Sequence, residues 1–258
     1  MSVTAGMVKN LRQRTSAGMM ECKKALVESE GDIEKAAELL RKKGAASAEK
    51  KAGRIAAEGK IVQKISADGK HGVLVEVNCE TDFVARADSF AAFVDQVADY
   101  AAARRPGSLD QLLDGTLKTG ERVEDARNTL IGRIGENVSV RRFQIVEVEE
   151  GRISGYLHGR KIGVLVSVRS GTEVLGHDLA MHIAASNPLG IDESGIPEKE
   201  LIREREIYRS QAENTGKSAT VVEKIVDGRM KKYLKENTLL GQNFVKDSEI
   251  TIADLLKK

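Results

Sequence analysis

The stretch Gly72-Val73-Leu74-Val75-Glu76-Val77 returns 91 residues later as Gly163-Val164-Leu165-Val166-Ser167-Val168. Upstream, Gly59-Lys60-Ile61 returns as Gly151-Arg152-Ile153 at a spacing of 92, so one residue has been gained or lost between the copies. An internal repeat constrains the fold more than any single motif, because one structural solution must serve both copies. The GVLVxV runs are β-rich and bounded by glycine, as strands are. Each copy therefore predicts strand, turn, strand and amphipathic helix. In the first copy Phe90, Phe93, Val94, Val97 and Ala101 fall on one helix face; in the second, Leu179, Ile183 and Ala184 do so before Asn187-Pro188 stops the helix.

The first copy continues with a helix from about Glu121 to Ile134, stopped by Gly135, and a strand over Val138 to Val148. The strand's alternation slips between Val140 and Phe143, which predicts a bulge near Arg141-Arg142. The second copy is interrupted. Residues 198–213 carry a narrow apolar seam, Leu201, Tyr208 and Ala212; after Asn214-Thr215-Gly216-Lys217-Ser218, a second seam follows in Val222, Ile225, Val226, Met230 and Tyr233. Narrow seams with charged flanks predict an antiparallel helical hairpin. No counterpart of the 138–148 strand follows Leu255-Leu256-Lys257-Lys258, so the second sheet is expected to lack its last strand.

Residues 4–43 predict three short helices. Thr4 caps the first, with Met7, Val8 and Leu11 on one face; Met19, Cys22 and Leu26 recur at helical spacing; Asp32 caps Ile33, Ala36, Ala37 and Leu40. Residues 41–54, RKKGAASAEKKAGR, hold six Lys/Arg against one Glu. They read as a solvated, partly helical linker, with contact to nucleic acid or an acidic partner as the rival. Strands followed by helices without regular βαβα order predict the α+β class. The expected divisions are 1–54, helical module and linker; 55–149, first core subdomain; 150–197 with 235–258, second core subdomain; and 198–234, inserted hairpin.

Composition limits the function. Net charge is only +2 in 258 residues, so no global field draws the chain to nucleic acid or membrane. Four Tyr, five Phe and no Trp disfavour a base-stacking platform. No uncharged apolar run approaches the ~18 residues of a membrane span. The start, Met1-Ser2-Val3-Thr4, lacks signal-peptide features, and Cys22 and Cys79 form no metal or disulfide framework, so a reducing, cytoplasmic location is expected. Gly216-Lys217-Ser218 resembles the end of a phosphate loop, but the glycine required five positions earlier is Gln211. The four histidines lack ligand spacing, and nothing selects a catalytic pair. No enzyme activity, cofactor or metal is expected.

The two copies diverge after the shared strand. One reads Asn78-Cys79-Glu80-Thr81-Asp82-Phe83-Val84, the other Arg169-Ser170-Gly171-Thr172-Glu173-Val174-Leu175. A Thr-acid pair recurs, but Phe83 becomes Val174. An acid and an aromatic at a strand-to-helix turn can project as a polar-apolar wedge, whereas composition alone favours a core position for Phe83.

Several ordered motifs resemble the bacterial elongation factor Ts family, the nucleotide exchange factors of elongation factor Tu. They are Thr15-Ser16-Ala17-Gly18-Met19-Met20-Glu21-Cys22-Lys23-Lys24-Ala25-Leu26, Asn78 to Ala85, His158-Gly159-Arg160-Lys161-Ile162-Gly163-Val164, His182-Ile183-Ala184-Ala185-Ser186 and Gly228-Arg229-Met230-Lys231-Lys232. The resemblance implies a ubiquitin-associated-like N-terminal module, two related core subdomains and a dimerising coiled-coil hairpin. It implies that Thr81, Asp82, Phe83 and Val84 enter the partner GTPase and displace its Mg²⁺, and that Arg12, Met19, Met20 and His158 are further contacts. A guanine nucleotide exchange factor of translation elongation is therefore the expected function; a nucleic-acid-binding protein using residues 41–54 is the alternative.

Overall fold

The computed structural model describes residues 3–15 and 17–257, so Ser16 of the first inter-helix break and Lys258 lie outside the described residues. The chain divides into two compact units, Met1–His177 and Asp178–Lys258. The first begins with α1 (Ala5–Thr15), α2 (Met19–Glu28) and α3 (Ile33–Lys51). The Thr4 hydroxyl accepts from the Met7 amide, and Asp32 accepts from the Glu34 and Lys35 amides, so both expected caps form. Leu11, Cys22, Ala25, Leu26 and Ala36 are buried together. Met19, expected beside Cys22 and Leu26, is instead exposed, because burial along α2 begins one turn later.

Next come β1 (Glu58–Ile65), β2 (His71–Cys79), α4 (Asp82–Arg86), α5 (Asp88–Arg104), α6 (Leu109–Asp114), α7 (Val123–Ile134) and β3 (Val138–Glu147). The sheet runs β1-β2-β3, all antiparallel. Glu76 pairs with Arg142 and Val77 with Val140, leaving Arg141 as the extra residue of the expected bulge. Valines 73, 75 and 77 face α5, whose Phe90, Phe93, Val94, Val97 and Ala101 complete the core. α6 escapes the sequence reading because six residues are too few to show a helical period.

The other face of β1 and β2 meets β4 (Arg152–His158) and β5 (Ile162–Val168), an antiparallel pair. The contact is reciprocal. A Cβ on Gly72 would fall 2.9 Å from Ile153, with Leu165 next; a Cβ on Gly163 would fall 2.8 Å from Ile61, with Leu74 next. These are repeat-equivalent residues. So are the partners of two backbone bonds, Ile61 N–H to Arg160 C=O (2.7 Å) and Ile153 N–H to Gly69 C=O (2.8 Å). The copies thus pack on each other about a local pseudo-two-fold. A strand covered on both faces has no polar side, which explains the unbroken apolar GVLV. Among the described residues the β4-β5 sheet has two strands.

The basic segment 41–54 is mostly exposed and helical as far as Lys51, as expected, but it is also packed against a neighbour. α3 runs unbroken through Lys51, Gly44 and Ala48 are buried, and a Cβ on Gly44 would sit 3.2 Å from the Asn128 carbonyl of α7. The small residues that suggested flexibility allow two helices to touch. Four of the six cations are paired: Arg41 with Asp125, Lys42 with Glu38, Lys43 with Glu28 and Arg54 with Glu80.

α8 (Glu173–Ser186) leads into the second unit, which adds a 3-10 turn (Glu193–Gly195), α9 (Glu198–Glu213), α10 (Ala219–Asn237), β6 (Asn243–Phe244), β7 (Asp247–Thr251) and α11 (Ile252–Leu255). The α8 residues buried are Gly176, Leu179, Ala180 and His182, whereas Ile183 and Ala184, expected on the inner face, are half-buried. α9 and α10 lie antiparallel, with Ala212, Val222, Val226 and Met230 buried between them. Arg205 pairs with Asp227 and Arg209 with Glu223 across the seam.

His182 is fully buried. Its Nδ1 accepts from the Val245 amide at 3.2 Å, a group that can only donate, so the ring proton sits on Nε2 and is given to Gln242 Oε1 at 3.1 Å. The orientation of Gln242 is set by its own donor group, which reaches the Glu236 and Ser186 carbonyls.

Two expectations follow from this packing. Gly44→Leu should cost about 1–3 kcal/mol in urea unfolding, as overpacking does, whereas changing Lys42, Lys43, Lys50 and Lys51 to Gln should leave the midpoint nearly unchanged. Burial lowers the His182 pKa below its ordinary 6.5. The neutral ring's contribution is therefore complete above that pH and lost as pH falls from there through the folded-state pKa. Urea midpoints at pH 7.5 and pH 5 should differ more for the native chain than for His182→Gln.

Candidate functional site

The strand-to-helix turn after β2 holds the segment in which the repeat copies diverge. Cys79 ends the strand fully buried, and its thiol donates to the Thr81 carbonyl at 3.2 Å. Thr81 is extended (φ −120°, ψ 156°) and caps α4, its hydroxyl accepting from the Val84 amide at 3.4 Å. A capped single turn points its members in fixed directions. Val84 and Ala85 go inward to the core, while Phe83 goes outward and is 83% exposed. Asp82 pairs with Arg86 at 3.0 Å on the surface, a contact too exposed to add much stability.

The turn is anchored from the far end of α7. Gly135 ends that helix in the left-handed region (φ 86°), and the next two residues reach the turn. Glu136 accepts from the Thr81 amide at 3.0 Å and from the Thr81 hydroxyl at 2.6 Å. In the opposite sense Glu80 accepts from the Asn137 amide at 2.6 Å. The Asn137 side chain donates to the Arg54 carbonyl at 2.9 Å, tying in the chain that leaves α3. Ile55, the next residue, is 85% exposed.

The second copy keeps the cap without the anchor. The Thr172 hydroxyl accepts from the Leu175 amide at 3.2 Å, matching Thr81 and Val84. No carboxylate bonds Thr172 among the described residues, and Val174 stands exposed where the first copy has Phe83.

The remaining candidates lie on other elements. Arg12 is exposed on α1, and Met19 and Met20 are exposed in the first turn of α2. His158 is exposed at the end of β4, where its Nδ1 lies 3.3 Å from the Tyr156 hydroxyl. No hydrogen bond or ion pair joins either group to the Thr81–Val84 turn among the described residues. Sequence reasoning missed Glu136, Asn137, Glu80 and Ile55. A signal was present: an acid and an amide directly after a helix-stopping glycine are suited to bonding neighbouring backbone.

Chemically, the turn offers an apolar ring and a carboxylate on a braced support. Burial, reinforced by the Glu136 and Glu58 carboxylates, pushes the Cys79 thiol up to about 12. Among the described residues no group of three His, Cys, Asp or Glu side chains could hold a metal ion, and no helix is long and apolar enough to cross a membrane.

Fold and turn define an α+β protein with a duplicated β-hairpin core that displays an aromatic from one copy only. The family model for elongation factor Ts matches residues 80–258, starting at this turn. Full-length relatives extend the match to the N-terminal helices. Elongation factor Ts of Methylococcus capsulatus is 53% identical over 257 residues, covering all of this chain and 88% of the relative. That of Halorhodospira halophila is equally similar, and that of Arthrospira platensis is 52% identical over 246 residues, covering 95% of this chain and 99% of the relative. The chain belongs to the elongation factor Ts family, and is thereby a protein of translation elongation.

The site's chemistry predicts an unreactive thiol. With a pKa of about 12, roughly one Cys79 in ten thousand is thiolate at pH 8. Iodoacetamide should leave Cys79 unmodified in the native protein and alkylate it rapidly in guanidinium, as read by peptide mass spectrometry.

Proposed function

We propose that this protein is a guanine nucleotide exchange factor. It binds elongation factor Tu carrying GDP, loosens the Mg²⁺–phosphate site, and stabilises the nucleotide-free partner until GTP enters. It carries out no covalent chemistry and uses no cofactor of its own. The observation that carries this reading is Phe83, 83% exposed on a turn held by three carboxylate hydrogen bonds.

A Phe side chain gains about 1.5–3 kcal/mol on leaving water, so an exposed one is binding energy held for a partner. On docking, the ring fills an apolar pocket between helices of the GTPase domain and shifts them. Asp82 brings negative charge toward a Mg²⁺ that tolerates little departure from octahedral geometry. A small displacement of its ligands therefore weakens GDP. The coupling is reciprocal: to the extent that this chain weakens GDP, GDP weakens binding of this chain.

Thr81 and Val84 fix the turn. Arg12, Met19 and Met20 form a second contact, through α1–α3 acting as a ubiquitin-associated-like module, and His158 a third. In this reading the functional divisions are 1–54, 55–149, 150–197 with 235–258, and 198–234. The last, α9 with α10, is a coiled-coil hairpin through which two complexes pair. The place of action is the cytoplasm, where the partner works. The pairing of four cations in residues 41–54 weighs against the nucleic-acid alternative.

Stopped-flow release of a fluorescent GDP from elongation factor Tu tests the reading. Phe83→Ala should slow stimulated release about tenfold or more, a loss of at least about 1.4 kcal/mol. Its own unfolding free energy should change by less than about 0.5 kcal/mol, as for other exposed positions. Asp82→Ala should also slow release, with a smaller effect once Mg²⁺ is chelated. A Phe83→Ala protein that unfolds readily yet exchanges at the normal rate would refute the proposal.

A further inference from the structure

We infer that Glu136 is a positioning residue for nucleotide exchange, holding the Thr81–Val84 turn in its docking shape before the partner arrives. The inference rests on the exchange reading and assigns a role to a residue outside the displayed segment. Among the described residues no hydrogen bond or ion pair joins Glu136 to Phe83 or Asp82. It acts through Thr81, whose amide and hydroxyl both donate to its carboxylate, at 3.0 and 2.6 Å.

Three features point to positioning rather than to general stability. First, the two acids are exchanged between segments: Glu136 serves the Thr81 amide while Glu80 serves the Asn137 amide at 2.6 Å, so neither segment can shift without breaking both bonds. Charge-assisted bonds of this kind are stronger than neutral ones. Second, α4 has only five residues, too few to hold its shape without outside support. The Thr81 cap depends on a hydroxyl whose proton is already directed to Glu136, which leaves its lone pairs facing the Val84 amide at 3.4 Å. Third, the second copy provides an internal control. Its Thr172 caps in the same way but has no carboxylate partner among the described residues, and that copy displays Val174 in place of the aromatic. The brace accompanies the ring.

A turn that is ordered only part of the time binds in proportion to its competent fraction. Loss of the brace should therefore weaken apparent affinity and leave the bound complex as effective as before. Phe83→Ala, by contrast, removes the group that acts on the partner and lowers the maximal rate.

The test uses the full chain with Glu136→Ala and, as the variant that preserves shape and one acceptor, Glu136→Gln. Amide hydrogen exchange at Thr81 and Val84 is measured on the free protein. GDP release is followed across a concentration series of exchange factor. The expected result is a rise of about tenfold in Thr81 amide exchange, together with a rise of about tenfold in the half-saturating concentration. The maximal release rate should be unchanged, and Glu136→Gln should lie between the native chain and Glu136→Ala. Three results overturn the inference: unchanged Thr81 protection; lost protection with no change in half-saturation; or a reduced maximal rate at unchanged half-saturation, which would place Glu136 among groups acting on the partner directly. Should Phe83→Ala release GDP normally, the exchange reading itself fails and this role falls with it, whereas the amide data still report whether Glu136 holds the turn.

Discussion

The face-to-face contact of the two β-hairpins supports the rest of the first unit. Gly72 and Gly163 sit at its centre, each against an isoleucine and a leucine of the other copy. Without side chains at these two points, the hairpins approach closely enough for backbone bonds from Ile61 to Arg160 and from Ile153 to Gly69. That contact covers one face of β1 and β2 and leaves the other to α5. The Thr81–Val84 turn leaves the end of the middle strand of this doubly covered sheet.

Support reaches the turn along two routes. One is the strand itself, which ends in the buried Cys79. The other passes from α3 to α7, through the close contact at Gly44 and Gly132, and then into Glu136 and Asn137. Arg54 and Ile55 leave α3 along that route, held by Asn137. The basic segment thus has a mechanical role: it runs as helix through Lys51, and Asn137 then holds the Arg54 carbonyl beside the turn. An exposed aromatic is useful for binding when its support does not yield, because ordering a loose segment consumes part of the energy gained on contact.

Duplication explains how such a site can be built at low cost to the fold. The shared parts of the repeat, GVLVxV and the preceding Gly-x-Ile, make the sheet contact and cannot vary freely. The turn after the strand is outside that contact, so the copies differ there: Asp82-Phe83 in one, Glu173-Val174 in the other. The threonine cap survives in both because α4 and α8 each need a start.

Much of this was legible in the sequence. Periodicity showed the α5 face, the α9–α10 seam and the β3 bulge, because each is a local pattern written within one element. The repeat showed that two copies exist. It did not show that they pack on each other, since a glycine in a strand is compatible with several kinds of close approach. The packing of the basic segment is hidden for a related reason: Gly, Ala and Lys suit a solvated stretch as well as a helix that touches another, and only the presence of α7 shows that Gly44 and Ala48 are buried. Phe83 was ambiguous in the same way, because nothing local distinguishes a ring turned inward from one turned outward. Its direction follows from the Thr81 cap and from Glu136, 55 residues away in sequence. The sequence by itself determined which segments become helix and strand and where the copies diverge, since those depend on neighbours in the chain. Only the tertiary structure decided which surfaces remain open and which carboxylates brace them, since those depend on residues brought together by folding.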